Sequence, residues 1–245
     1  MPKGMKATRK IKVGPQKKRQ GSSQDTEISA RTEEFDKDIF LGSLRGFITE
    51  ALIPVVKIIG KLHMPWTKKN VIHHYAEIMR VLKPGHVILS TTYGEISNIF
   101  NPGKYKHAIL YVGVHEFPYG KYPAVIEATG EGVHIRPLFE CLASKDNIAI
   151  MEWKLPYTAN AFKSAMVWAF KQIGKGYDYR FLLDQGKIGM QNFYCSEYVY
   201  SFWHLMDSTN HFRLRKVMGT YTVIPDDFYK ARSCWDLKYE TGRPK

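Results

Sequence analysis

The chain has 245 residues, of which 44% are hydrophobic and 13% aromatic, and this is enough to bury one sizeable core. Its three cysteines, Cys141, Cys195 and Cys234, are far apart and lack any Cys-x-x-Cys spacing, which argues against a disulfide framework and against a zinc site. The sequence contains neither an apolar run of roughly 18 residues nor a signal-peptide pattern. We therefore expect a cytoplasmic protein, or a virion-associated one if the source is a virus or phage.

The formal net charge is +13, and residues 1–20 alone supply +8 of it without a single acidic residue. Together with the polar stretch that follows, this segment has too few apolar residues to offset the entropy of ordering a chain, and residues 1–35 are expected to form a disordered basic arm. Such an arm attracts an anionic partner, either nucleic acid or a membrane surface, and a solubilising or targeting tail is an equally good interpretation.

Residues 36–81 form the second predicted unit, a helical extension. The stretch "FDKDIFLGSLRGFITEALIPVVKIIGKLHMPW" has apolar residues at helical spacing, with Pro54 expected to break or kink it. Its apolar face, beginning at Phe40, fits either a protein core or a membrane surface. A second helix, "TKKNVIHHYAEIMRVL", is closed by Lys83, Pro84 and Gly85.

The third predicted unit, residues 82–245, begins with strands. Five short β-branched runs, separated by turn residues, predict an antiparallel sheet: "HVILS", "HAILYVGV", "AVIEATG", "GVHIRPL" and "IAIMEWKL". An Ala-rich helix follows and is stopped by Gly174 and Gly176. Another helix is expected to start at or just before Cys195, and "TYTVIP" is a last extended piece. Helices on both sides of a strand-rich middle predict the α+β class.

Three residues in this unit are candidates for catalysis. Cys195, in "FYCSEYVY", would lie at a helix N-terminus, where unpaired N–H groups favour a thiolate. His107 opens an apolar strand, and Glu127 lies inside another, where a buried carboxylate needs a cationic partner. Each residue also has a plainer interpretation: a buried free thiol, a solvated histidine, and a glutamate that faces solvent on an alternating strand.

The order of these motifs resembles the circularly permuted branch of the NlpC/P60 papain-like superfamily, in particular the YiiX/YaeF-like cysteine hydrolases. "HAILYVG", "VIEATGEGV" and "YCSEYVY" are similar to the family's histidine strand, acid-bearing strand and nucleophile helix. "LKPGHVILS", "GKGYDYRF" and "VIPDDFYKA" add further similarity, so that the resemblance covers roughly residues 82–231. The chain departs from the family at His86, where the opening strand usually carries an Asp.

The resemblance implies a permuted papain-like fold and a Cys195–His107–Glu127 triad that cleaves an amide through a thioester, without a metal or another cofactor. The backbone N–H of Cys195 is one candidate oxyanion donor, and Tyr105 and Tyr194 are further candidates for the oxyanion or substrate pocket. We assume that Glu197, one turn into the helix, points outward, because its carboxylate would otherwise oppose thiolate formation.

Three functions stay open at this point. The first is a cysteine amidase or peptidase that acts on a peptide, an isopeptide or an N-acyl compound. The second is a thiol acyltransferase on lipid or amine substrates, for which the apolar stretch from Phe40 would be a membrane seat. The third is a non-catalytic module that binds nucleic acid or membranes. The sequence does not fix the substrate or the oligomeric state.

Overall fold

The computed structural model describes residues 71–92, 103–179, 191–207, 211–212, 214–217 and 220–241. The predicted basic arm, residues 1–35, lies outside the described residues. The same holds for the part of the helical extension that contains Phe40 and Pro54.

The strands, in chain order, are β1 Val87–Thr91, β2 His107–Phe117, β3 Gly120–Thr129, β4 Gly132–Pro137, β5 Asn147–Trp153, β6 Gly176–Tyr177, β7 Asn192–Phe193, β8 Arg215–Val217, β9 Thr220–Thr222 and β10 Trp235–Glu240. Within the described residues, six of them form one sheet in the order β10–β5–β1–β2–β3–β4, and every neighbouring pair in it is antiparallel. The two-residue strands β6 and β7 pair in parallel, and β8 pairs with β9 in antiparallel fashion. The large sheet thus places β2 and β3, which carry His107 and Glu127, side by side, with β3 next to the edge strand β4.

The helices are a 3₁₀ turn at Val71–His74, α1 Tyr75–Val81, α2 Leu138–Ala143, α3 Ala159–Lys171, α4 Cys195–His204 and α5 Pro225–Lys230. Alternate strand residues point to opposite faces of the sheet, and both faces are buried. Leu89 and its neighbours pack with α3, α4 and α5, whereas Ile88 and its neighbours pack with the 3₁₀ turn, α1 and α2. The α+β prediction, an antiparallel sheet packed against helices, is confirmed.

Three tryptophans pack α4 against strands β5 and β10 of the sheet. Trp203, near the end of α4, stacks on Trp153 of β5 at 5.2 Å between ring centroids and meets Trp235 of β10 edge-on at 5.5 Å. All three rings are nearly inaccessible to solvent, and large buried aromatic surfaces contribute strongly to the packing of a core. The direction of α4, and with it the position of Cys195 at its other end, is set by this cluster.

Strands β1 to β5 overlap the five runs predicted as strands, and β1, β2, β3 and β5 each extend beyond their run at one end. The predicted helix before Pro84 is present as the 3₁₀ turn and α1, and Val71 and Ile78 from it are fully buried against the sheet. The helices α2 and α5 and the strands β6, β7, β8 and β10 were not predicted. None of the described helices is long and apolar enough to cross a membrane.

Candidate active site

Cys195 is the first residue of its helix, α4, and Tyr194 alone separates it from β7. Tyr194, the N-cap residue, is extended, with φ −92° and ψ 163°, so the helix begins at the cysteine as expected. The first N–H groups of a helix have no intrahelical acceptor and bring partial positive charge to this position. The residue is only 5% exposed, so these N–H groups act on its sulfur with little screening by solvent.

Glu197 does not point outward, and the assumption made from the sequence is wrong. It is 1% exposed, and its Oε2 accepts a hydrogen bond of 3.4 Å from the Tyr194 backbone N–H. The side chain therefore folds back over the start of α4, where the carboxylate satisfies a backbone donor that the helix leaves unpaired.

His107 and Glu127 are brought together by the pairing of β2 with β3. The His107 Nε2 lies 2.5 Å from the Glu127 Oε2. The Glu127 side chain is completely buried, whereas 19% of the His107 side chain is exposed. The plainer interpretation of Glu127, a carboxylate facing solvent, is therefore wrong, and the buried charge has the cationic partner that the sequence argument required.

The His107 ring also hydrogen-bonds the Cys195 sulfur. Burial disfavours the imidazolium, but the charge of the Cys195 thiolate and the hydrogen bonds to Cys195 and Glu127 outweigh it and raise the pKa of His107 to about 9. Burial likewise opposes the thiolate, but His107, followed by a hydrogen bond from the Ala108 backbone, lowers the pKa of the Cys195 thiol. The two groups thus favour a thiolate–imidazolium pair near neutral pH.

The second oxygen of Glu127 faces β4. Arg136 forms an ion pair with its Oε1, and the His134 Nε2 lies 3.7 Å from the same oxygen. Burial opposes the ionised carboxylate, but the hydrogen bond with His107 and the nearby His134 imidazole hold the pKa of Glu127 well below its usual range. The carboxylate is consequently an anion with cationic groups at both of its oxygens.

Tyr105, one of the two tyrosines expected near the oxyanion, anchors the segment that leads into His107. Its hydroxyl donates to Glu240 Oε1 at 2.6 Å, and its backbone N–H donates to Asp226 Oδ1 at 2.8 Å. The Lys104 Nζ lies 2.5 Å from the same Glu240 oxygen. The position of His107 at the start of β2 therefore depends on residues far along the chain.

Tyr194, the other expected pocket tyrosine, is 2% exposed. Its hydroxyl lies 3.3 Å from the Thr222 Oγ1 and accepts a hydrogen bond of 3.2 Å from the Val223 N–H. These contacts connect the start of α4 to the last residue of β9 and the residue that follows it. A role for Tyr105 or Tyr194 in an oxyanion or substrate pocket stays a prediction.

Tyr177 is a residue near the sulfur that the sequence argument did not single out. It lies in β6, beside Phe193 of β7, two residues before Cys195. Burial and, next, negative charge on Cys195 raise the pKa of its hydroxyl well above its usual value, so this phenol interacts with the charge of the sulfur and favours its neutral form. The signal was the stretch "GKGYDYRF", which was used for the family resemblance without a role for its tyrosines.

A comparison with protein families matches residues 81–238 to the permuted papain-like amidase enzymes, the YaeF/YiiX or C92 family. The chain belongs to this family. It is therefore an enzyme of the cysteine-type amidase and peptidase class, and the resemblance seen in the sequence is confirmed. No match was found among curated proteins.

One solved structure supports the C92 fold. The crystal structure of the metalloprotein YiiX from Escherichia coli O157:H7 aligns with 65% of this chain and 98% of its own, with a TM-score of 0.50 and 15% sequence identity. At that identity the likeness concerns the fold alone.

The residues of this C92 member do not fit a metal ion at the site. Among the residues that the structure describes, no group of three or more His, Cys, Asp and Glu side chains could hold one. The Glu127 carboxylate contacts the Arg136 guanidinium, and a permanent cation there disfavours a metal ion at the same oxygen.

His86, the departure from the family's opening strand, is buried, with its Nε2 3.3 Å from Glu152 Oε1.

Proposed function

We propose that the protein hydrolyses an amide bond through a thioester on Cys195, with His107 as general base and then general acid and Glu127 as the group that orients it. The observation that carries the proposal is the continuous hydrogen-bonded chain from Cys195 through His107 to the buried Glu127. A nucleophile, a base and an orienting acid within hydrogen-bond reach of one another are the requirement for nucleophilic catalysis.

In this proposal the Cys195 thiolate attacks the carbonyl carbon of the amide. The carbonyl π electrons move to the oxygen and form a tetrahedral oxyanion. Its collapse expels the amine, which takes the proton from the His107 imidazolium, and leaves an acyl group on the sulfur. Neutral His107 then removes a proton from water, which attacks the thioester and releases the carboxylic acid. Glu127 keeps the ring oriented through both steps.

The oxyanion needs donors that are in place before the reaction. We propose the backbone N–H of Cys195, at the start of α4, as one donor and the Tyr177 hydroxyl as the other. Support for Tyr177 comes from its electrostatic interaction with the sulfur and from a raised pKa, which keeps the phenol protonated at neutral pH. The Tyr105 hydroxyl already donates to Glu240 at 2.6 Å, which argues against Tyr105 as the donor.

The experiment is a survey of fluorogenic peptides, isopeptides and N-acyl amides, followed by acid quenching and mass spectrometry of the peptide that contains residue 195. We expect an acyl adduct on Cys195 and a loss of hydrolysis of about three orders of magnitude or more in Cys195→Ser. Cys141→Ser is the matched control, because Cys141 is also a buried free thiol and should not carry the acyl group. Full hydrolysis by Cys195→Ser would refute the proposal.

The same survey separates hydrolysis from acyl transfer, because an added amine acceptor outcompetes water for the acyl group in a transferase, whereas water takes most of it in a hydrolase. The peptide or acyl-amide substrate, the anionic partner of residues 1–20 and the cytoplasmic location stay predictions from the sequence. The division into residues 1–35, 36–81 and 82–245 is also proposed on the sequence alone.

A further inference from the structure

We infer that Arg136 is a positioning residue of this site, which holds Glu127 as an anion in both protonation states of His107 and so lets the imidazolium release its proton. The inference rests on the proposed function, since it concerns how the triad works. Arg136 does not touch the sulfur or the reacting carbonyl; it acts through Glu127.

The two carboxylate oxygens of Glu127 contact residues of two different strands. Oε2 lies 2.5 Å from the His107 Nε2 of β2, and Oε1 pairs with the Arg136 guanidinium of β4. Glu127 is completely buried and 28% of the Arg136 side chain is exposed, so the guanidinium lies between the carboxylate and solvent. Because Arg136 occupies one oxygen, the carboxylate cannot rotate freely, and the other oxygen stays directed at the imidazole.

The need for such a residue follows from the reaction. Each time His107 gives its proton to the leaving amine, Glu127 loses one of its cationic partners while it is still excluded from water. A buried carboxylate without a cation beside it is strongly disfavoured. Such a carboxylate would favour the protonated imidazole and so hinder the release of its proton to the amine. A permanently charged guanidinium removes this difficulty, since arginine does not deprotonate in proteins.

The other charged or titratable groups near Glu127 are less suited to this role. His134, also on β4, has its Nε2 3.7 Å from Oε1 and loses its charge as the pH rises. Lys145, which follows α2, lowers the pKa of Glu127 through its charge, but the direct ion pair with Oε1 is made by Arg136. Cys141 of α2 stays a neutral thiol, because burial and Glu127 raise its pKa to about 12.

The test is an NMR titration of the His107 imidazole in the full-length protein. Arg136→Met should raise the alkaline pKa of His107 by about half a unit or more, because the deprotonated state then contains an unpaired buried anion. Arg136→Lys, which restores the charge, should bring the value back towards that of the wild type. His134→Gln is the matched control at the same carboxylate oxygen and should shift the value less.

A double-mutant cycle decides whether Arg136 acts through Glu127. In a Glu127→Gln background the effect of Arg136→Met on His107 should mostly disappear. An equal shift in both backgrounds, no shift in either, or an equal effect of His134→Gln would overturn the inference. The double variant also serves as a folded reference, because it removes the buried charge together with its partner.

The outcomes also separate this inference from the proposed function. If Cys195 never carries an acyl group while the titration of His107 still depends on Arg136 through Glu127, the proposed function fails and the electrostatic inference stands. If the acyl adduct forms and Arg136→Met leaves the His107 titration unchanged, the inference fails and the proposed function stands.

Discussion

Gly132, at the start of β4, lies so close to the carbonyl oxygen of Lys175 that no Cβ fits between them. The two segments are joined there by hydrogen bonds of 2.8 Å from the Val133 N–H to the Lys175 oxygen and from the Gly174 N–H to the Val133 oxygen. This contact ties β4, which carries Arg136, to the segment that carries Tyr177.

Gly132→Ala should therefore destabilise the protein more than Gly174→Ala. Both glycines have positive φ, +102° and +91°, but a Cβ at Gly174 would meet no atom within 4 Å. Positive φ costs an alanine about 1–2 kcal/mol, so Gly174→Ala should lower the free energy of unfolding by that amount, and Gly132→Ala by about 1–3 kcal/mol more. Urea denaturation measures both, and equal losses would contradict the steric argument.

The second prediction concerns the reactivity of the thiols. At pH 6 Cys195 should react with iodoacetamide at least about tenfold faster than Cys141 or Cys234, because an ordinary thiol of pKa about 8.5 is almost wholly protonated there. All three cysteines are buried, so access to the reagent gives none of them a clear advantage. Peptide mass spectrometry of timed samples gives the three rates in one experiment.

His107→Ala should remove most of the advantage of Cys195, because His107 is the main group that lowers the pKa of its thiol. His115→Ala is the matched control: His115 is on the same strand, at its far end, where it packs against Phe117 and Phe170. A similar drop in both variants would indicate a general loss of structure and would argue against a specific ion pair.

Tyr177→Phe should slow turnover by about a hundredfold, the usual effect of removing one oxyanion donor, and should leave the alkylation of Cys195 at pH 6 nearly unchanged. The two measurements separate stabilisation of the oxyanion from activation of the sulfur. Tyr179→Phe is the control, because Tyr179 packs edge-on against Tyr177 at 4.9 Å and donates its hydroxyl to the Gly130 carbonyl. Normal turnover in Tyr177→Phe would exclude the phenol as a donor.

Acid should destabilise the protein partly through Glu152 of β5. A hydrogen bond with Lys238 at 2.9 Å, opposed by burial and aided by His86, lowers the pKa of this carboxyl to about 2 from an ordinary value of 4.5. A lowered carboxyl pKa contributes stability that is complete above the unfolded value and is lost as the pH falls towards the folded one. Glu152→Gln should therefore flatten the dependence of unfolding free energy on pH between about 4.5 and 2.

Chemical denaturation at closely spaced pH values measures this slope. Glu116→Gln controls for the change in net charge, since it removes an exposed carboxylate whose Oε2 is 3.8 Å from Lys121. An unchanged slope in Glu152→Gln would show that the contacts of Glu152 with Lys238 and His86 do not bias its ionisation.

Strands β1 to β5 were predictable because each is an apolar run bounded by residues that favour turns. Helix α2 was not, since its six residues after Pro137 are too few to display a helical period. Strand β10, "WDLKYE", alternates charged with apolar residues as edge strands often do, and charges of both signs are equally typical of a surface loop.

In the candidate site, Cys195, His107 and Glu127 could be predicted from two features together. Their side chains have the chemistry that a triad needs, and they follow one another along the chain in the order of the family's motifs. Arg136 could not, because its place in "GVHIRPL" indicates a strand and says nothing about which neighbouring strand its side chain meets. Tyr177 is one of 15 tyrosines, and only the pairing of β6 with β7 reveals that it lies beside Phe193, two residues before Cys195. Contacts between strands depend on register, which a single sequence specifies weakly.

Glu240, which holds Lys104 and Tyr105 just ahead of His107, is separated from Tyr105 by 135 positions in the chain. During synthesis on a ribosome, β2 emerges long before this anchor, and contacts of such large sequence separation form late in folding. Lys104 and Tyr105 thus gain their contacts with Glu240 only after residue 240 has been translated. A nascent chain that ends before this residue has β2 without this anchor just ahead of His107.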